Sequence, residues 1–341
     1  MADYPGTGAA PPAAPHPAPD RNLGLDLVRA TEAAALAAAR LMGRGDQQTA
    51  EEAAITGMRL MMESLPMDGL VVIGEGEKGR ASRLYHGELL GEGHGPAVDV
   101  AIDAIDGRKL AAKGLNGALA AAALADRGSI FDPGPCRFVE KIAVGEQAAG
   151  VIDISVPVAE NLRRIADAKR SPISDLTVVI LDRPRNEPII DEVREVGARV
   201  KFIFAGEVGC AISAARSRTS IDVLLGIGGT AEAVVAACAL KCLGGALQAR
   251  LAPQNDSERE EAIAAGYDLG RVMTTDDLVS GANVFFAATG ITDGDLLAGV
   301  RYDGDTTLTE SIVMGSRSGT VRMIAGEHRR EKLMRYSSIE Y

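Results

Sequence analysis

The stretch LTVVILDRPRNEPIIDEVREVGARVKFIF, residues 176–204, decides the fold class. Two short apolar runs rich in β-branched residues, 176–181 and 199–204, read as buried strands. Between them, residues 187–196 carry a helical pattern that stops at Gly197. Strand, helix, strand in so few residues is a βαβ unit. The rhythm continues downstream: IDVLLG (221–226) reads as a strand, with helices over 158–168, 207–216 and 230–243. That alternation predicts an α/β protein with a largely parallel sheet from about residue 161 onward.

Upstream the signals are mixed. Residues 23–42, rich in Ala and Leu, predict a helix stopped by GRGD (43–46), and 49–64 a second helix with Ile55, Met58 and Met62 on one face, capped by Thr49 or Gln48. Glu51 and Glu52 then fall in its first turn, where the helix dipole favours acids. LVVI (70–73), AVDVAID (97–103) and GVIDISV (150–156) read as strands; LNGALAAAALAD (115–126) fits strand or helix equally. The expected organisation is an Ala- and Pro-rich disordered tail over 1–21, an N-terminal α/β half over 22–160, a C-terminal half over 161–330 and a tail over 331–341.

The 341 residues suffice for a substantial core, and a net charge of −11 argues against a nucleic-acid partner. With no signal peptide or membrane span in the sequence, a cytoplasmic location follows. Cys136, Cys210, Cys238 and Cys242 form no Cys-x-x-Cys pair, and the last two lie in an apolar run that predicts buried thiols. His16, His86, His94 and His328 show no ligand spacing.

Four segments carry chemistry. IGEGE (73–77) sets Glu75 and Glu77 between glycines after a strand, where carboxylates suit a hard cation. DAIDG (103–107) places Asp103 at a strand end and Asp106 in the loop after it, so the two acids can converge on one or two ions. GIGGTAEA (226–233) reads as a glycine-rich loop ahead of a helix, fit for a phosphate, although Ala231 breaks the G-x-G-x-x-G pattern. DRPRNEP (182–188) puts Arg183 and Arg185 past a strand's carboxyl end, where α/β proteins bind ligands and arginine forks grip phosphate.

IGEGE, DVAIDAIDG (99–107), GIGGTAEA and FFAATGITDGDLLAGV (285–300) together resemble, in order and over about 23–329, the class II fructose-1,6-bisphosphatases. These belong to the lithium-sensitive, metal-dependent sugar and inositol phosphatases. The resemblance implies a layered α/β/α/β/α sandwich, a cytoplasmic enzyme of carbohydrate metabolism and gluconeogenesis, and Mg²⁺- or Mn²⁺-dependent hydrolysis of a sugar 1-phosphate. The implied partner is a small sugar phosphate, in a homo-oligomer. Carried over, the metal positions are Glu51, Glu75, Asp103, Asp106 and Glu232, with Asp103, Asp106 and Arg108 in the chemistry. Substrate contacts fall on Asp106, Gly107, Arg108, Phe138, Arg183, Arg185, Gly206, Glu207 and Gly229.

The departures bear on activity. The family's D-P-I-E-G-T is D-A-I-D-G-R here, so the threonine that helps activate water corresponds to Arg108. A guanidinium stays protonated and accepts no hydrogen bond. Asp and Glu are exchanged at Glu51 and Asp106, Phe138 replaces a tyrosine, Ala205-Gly206-Glu207 replaces D-G-D, and Gln47 replaces a lysine. Three readings follow: a retuned phosphatase, a weak or inactive paralogue that binds a phosphorylated ligand or a partner, and a different phosphosugar reaction with Arg108 as a charge clamp.

Overall fold

The computed structural model describes residues 23–76, 83–217 and 219–337. The expected disordered tail over 1–21 and Glu77 lie outside them.

Helix α1 (Leu23–Ala39) and helix α2 (Gln47–Glu63) open the chain. The cap of α2 is Asp46, not Thr49 or Gln48: its side chain accepts from the Thr49 N–H at 3.0 Å and extends the helix back to Gln47. One sheet contains β1 (Asp68–Ile73), β2 (Leu89–Leu90), β3 (Ala97–Asp106) and β4 (Leu119–Asp126). A short helix, α3 (Arg108–Lys113), leads from β3 toward β4. The second sheet is built from β5 (Phe138–Val144), β6 (Thr177–Leu181), β7 (Arg199–Ile203), β8 (Val223–Gly229), β9 (Ala246–Leu251) and β10 (Met273–Thr274). Helices α4 (Val158–Lys169), α5 (Glu187–Glu195), α6 (Glu207–Ala215) and α7 (Thr230–Leu243) alternate with these strands. The chain then returns to the first sheet with β11 (Val284–Gly290), β12 (Arg301–Asp303), β13 (Thr306–Gly315) and β14 (Thr320–Arg329).

The layers follow from which face each strand residue presents. In β4 the side chains alternate: Leu119, Ala121, Ala123 and Ala125 face α6 and α7, while Ala120, Ala122 and Leu124 face α1 and α2. Both faces are therefore buried, which is why periodicity could not separate strand from helix there. Alanine lets α1 and α7 approach the sheet closely from opposite sides. Beyond α6 and α7 lies the second sheet, whose outer face packs Val178, Ile180 and Leu225 against Leu162 and Ile165 of α4 and Ile190 and Val193 of α5. The result is the expected α/β/α/β/α sandwich. Each fully buried leucine, such as Leu27 or Leu162, contributes about 2 kcal/mol of transfer free energy.

Four expectations need correction. The sheets do not divide at residue 160, because β5 belongs to the second and β11–β14 to the first. The second sheet is parallel only at β6–β7 and β6–β8; β5, β9 and β10 join it antiparallel. Residues 150–156 form turns, not a strand. Their backbone is satisfied by side chains instead of a neighbouring strand: Asn161 bonds the backbone of Asp153, and Gln248 accepts from Ile154 N–H and donates to Ile152 C=O. The expected tail after residue 330 begins as a helix, Arg330–Ser337. Cys238 and Cys242 are buried as expected, and desolvation pushes both thiols up.

Candidate active site

The strand that ends in DAIDG runs further than its sequence suggests. β3 continues through Asp106, with a register shift between Asp103 and Asp106 against β4. That bulge takes Ala104 out of the ladder, and its N–H donates to Glu75 Oε1 at 2.5 Å. The irregularity thus joins the two acidic motifs. Gly107 follows with φ +90°, a turn that glycine adopts without strain, and starts α3. Arg108 is consequently the first residue of a helix rather than part of a loop.

A cleft of about 430 Å³ opens at this point. Its acidic wall is Glu51, Asp103, Asp106, Glu207 and Glu232; its cations are Arg108, Lys109, Arg137, Arg183 and Arg185. Gly107, Phe138, Gly206 and Gly229 complete the expected set, so every carried-over position lines the cleft except Glu75, which accepts from the Ala104 N–H between Asp103 and Asp106. Arg137 is a cleft cation the sequence reading missed; it directly precedes β5, and only the pairing of β5 with β8 brings it here. Gln47, in place of the family's lysine, also lines the cleft.

Contacts within the wall are specific. Arg108 Nη1 lies 2.5 Å from Glu51 Oε1, an ion pair between α3 and α2. Asp106 is 3% exposed, and its Oδ2 accepts from the Gly209 N–H in the first turn of α6 at 3.1 Å. Arg183 donates to the carbonyls of Asp182 and Phe204, both at 2.6 Å. Arg185 donates to the Ile227 carbonyl at 3.1 Å and lies over the Phe138 ring, 4.8 Å from its centroid. Phe138, lacking a hydroxyl, thus serves as a platform for an arginine.

The glycines of 226–229 are the end of β8, not a loop, and they make room for carboxylates. A Cβ on Gly228 would fall 2.1 Å from Glu207 Oε1, and one on Gly229 1.8 Å from Glu232 Oε2. Three amides near this corner are already taken: Ile227 N–H by Asn186, Gly229 N–H by Glu207 and Thr230 N–H by the Arg137 carbonyl. Little of the expected backbone phosphate cradle is free.

Crowding of acids perturbs their protonation. Desolvation, followed by the charge of Asp106, holds Asp103 well above the usual carboxylate range. Desolvation likewise raises Glu75 and Asp106 to about 7 each, against the hydrogen bonds from Ala104 and Gly209 that favour their charged forms. Among the described residues no three carboxylate, imidazole or thiol groups surround a single ion-sized point. The donor chemistry nevertheless fits a hard cation: the neighbouring groups are all oxygen ligands, and Glu75 and Asp103 share Arg108 as their attractive charge.

These shifts make a pH prediction. In metal-stripped protein, Glu75 and Asp106 bind protons more tightly folded than unfolded, where they titrate near 4.5 and 3.8. Their stabilisation is therefore full at low pH and is lost as pH rises from about 4 through about 7. The melting temperature in chelator should fall over that window, and Asp106→Asn should flatten the slope. An equal slope in parent and variant would contradict the shift at Asp106.

The sequence comparisons bear on this cleft. The family described as bacterial fructose-1,6-bisphosphatase, glpX-encoded, matches residues 21–328. This chain belongs to that family. It is 40% identical over 321 residues to fructose-1,6-bisphosphatase 1 class 2 of Escherichia coli (strain K12), a match covering 90% of this chain and 95% of that protein. Fructose-1,6-bisphosphatase class 2 of Shigella flexneri shows the same identity and coverage. Among the described residues no helix is long and apolar enough to cross a membrane.

Proposed function

We propose that this chain is a divalent-metal-dependent phosphatase that hydrolyses the 1-phosphate ester of fructose 1,6-bisphosphate. Water attacks phosphorus, the ester P–O bond breaks, and fructose 6-phosphate and inorganic phosphate leave. The observation that carries this reading is the convergence of Asp103, Asp106 and Glu232 with Arg108, Arg183 and Arg185 on one cleft, from motifs far apart in sequence.

Glu75, Asp103, Asp106 and Glu232 would hold Mg²⁺ or Mn²⁺, with Glu51 shared between the ion and Arg108. When bound, such an ion screens phosphoryl charge as a Lewis acid. The remaining work falls to side chains. Arg183 and Arg185, steadied by backbone carbonyls and Phe138, are set to grip phosphate oxygens. No hydroxyl or imidazole side chain is among the described residues that line the cleft. A carboxylate of the acidic wall is then left to take the proton of the attacking water. Cytoplasmic location, homo-oligomeric assembly and a place in gluconeogenesis belong to the same proposal.

A second reading, a cleft that binds the sugar phosphate and turns it over poorly, draws on the Arg108–Glu51 pair. Phosphate release from a panel of sugar phosphates, with Mg²⁺ or Mn²⁺, tests both. Release from fructose 1,6-bisphosphate above the other sugars supports the phosphatase. Calorimetric binding without release supports the second reading, and neither binding nor release defeats both.

A further inference from the structure

Lys141 sits in the middle of β5 and its side chain is 1% exposed. Its neighbours on the same face, Val139 and Ala143, pack into the apolar layer between the sheets. An ammonium there persists only with close partners. Its Nζ lies 2.7 Å from Glu207 Oε1 and donates to the Gly229 carbonyl at 3.1 Å. The other carboxylate oxygen, Glu207 Oε2, accepts from the Gly229 N–H at 3.3 Å. One ion pair thus holds both the N–H and the C=O of Gly229.

The residues it holds carry two acids of the cleft. Gly229 precedes α7, whose first turn bears Glu232. Glu207 opens α6, whose next amides hold Asp106. We propose that Lys141 is a positioning residue: paired with Glu207, it fixes the Gly229 corner and the start of α6 so that Glu232 and Asp106 face the same space. Glu207 then serves this pair rather than the sugar phosphate, because both its oxygens are engaged within the protein. The inference rests on the phosphatase reading only for its kinetic readout.

The test compares the full-length parent with Lys141→Met and with the paired variant Lys141→Met/Glu207→Leu. The single variant leaves a carboxylate without its cation and should melt well below the parent. The paired variant removes both charges at similar volume and should melt close to it. In the paired variant, amide exchange in segments 206–209 and 227–232 should speed by about 10-fold or more, with β6 and β9 unchanged. Its kcat on fructose 1,6-bisphosphate with Mn²⁺ should fall by about 10- to 100-fold, because misplaced acids cost orientation. Parental exchange in both segments overturns the proposal. So does fast exchange spread through the second sheet, or a paired variant that fails to fold, since either makes the pair a general prop of the core. A parent that releases no phosphate defeats the phosphatase reading alone; the exchange comparison still decides Lys141.

Discussion

Asp106→Glu together with Arg108→Thr should raise kcat/KM on fructose 1,6-bisphosphate by about 10²- to 10⁴-fold, the range that acid–base assistance to water contributes. Either change alone should recover far less. Threonine at 108 returns a hydroxyl to a cleft whose described lining residues have none, and frees Glu51 from the guanidinium 2.5 Å away. Asp106, however, reaches back to the Gly209 N–H at the start of α6. With threonine alone, the carboxylate beside the new hydroxyl stays one methylene short. With Asp106→Glu alone, the longer acid meets the cation at 108. Groups acting on one water are not additive, so the double variant should exceed the product of the single effects. The parent should fall below about 10⁴ M⁻¹s⁻¹, the lower end of ordinary enzymes. Steady-state kinetics at saturating Mn²⁺ on all four proteins provide the check. A parent already above that value would make Arg108 a working part of the site.

Asp103→Asn should act in opposite directions on the metal-free and metal-loaded protein. Without metal, Asp103 is desolvated beside Asp106, Glu75 and Glu232, and their mutual repulsion opposes folding. A neutral amide of the same shape relieves it, so the stripped variant should melt above the stripped parent at pH 7.5 or so. With metal, an ion that binds only the folded chain at about 100 times its Kd adds about 2.7 kcal/mol to the parent. The variant, short of one charged ligand, should lose most of that gain. Melting curves with chelator, Mg²⁺ and Mn²⁺ measure both effects. If the parent's melting temperature ignores millimolar Mg²⁺ and Mn²⁺, the metal assignment of Glu75, Asp103, Asp106 and Glu232 falls.

The α/β alternation over 176–243 was legible because it is local: strand and helix differ in side-chain period, and Gly197 and Gly244 punctuate them. Asp103, Asp106, Glu232, Arg183 and Arg185 were legible because each sits at or near an element's end, in a motif only a few residues long; Glu51 and Glu207 came only with the family resemblance, and Arg137 not at all. Other features depended on partners far away in the chain. Asp106 was visible as an acid, but its hold on α6 lies 103 residues further on. The glycines at 228 and 229 suggested a phosphate loop, whereas their missing side chains make space for Glu207 and Glu232. Lys141 drew no notice, since a lysine in a strand ordinarily points to solvent, and only the pairing of β5 with β8 places it beside Gly229.

By itself, then, the sequence determined which residues could do chemistry here and which kinds of element present them, because charge, period and turn preference are written within a few residues. The tertiary structure decided the rest. Strand pairing sent β5 into the second sheet and β11–β14 into the first, against the order of the chain. Long-range packing then set which carboxylates are desolvated together, and which cation reaches which acid. Those are properties of distances, and a linear sequence does not contain them until the chain is folded.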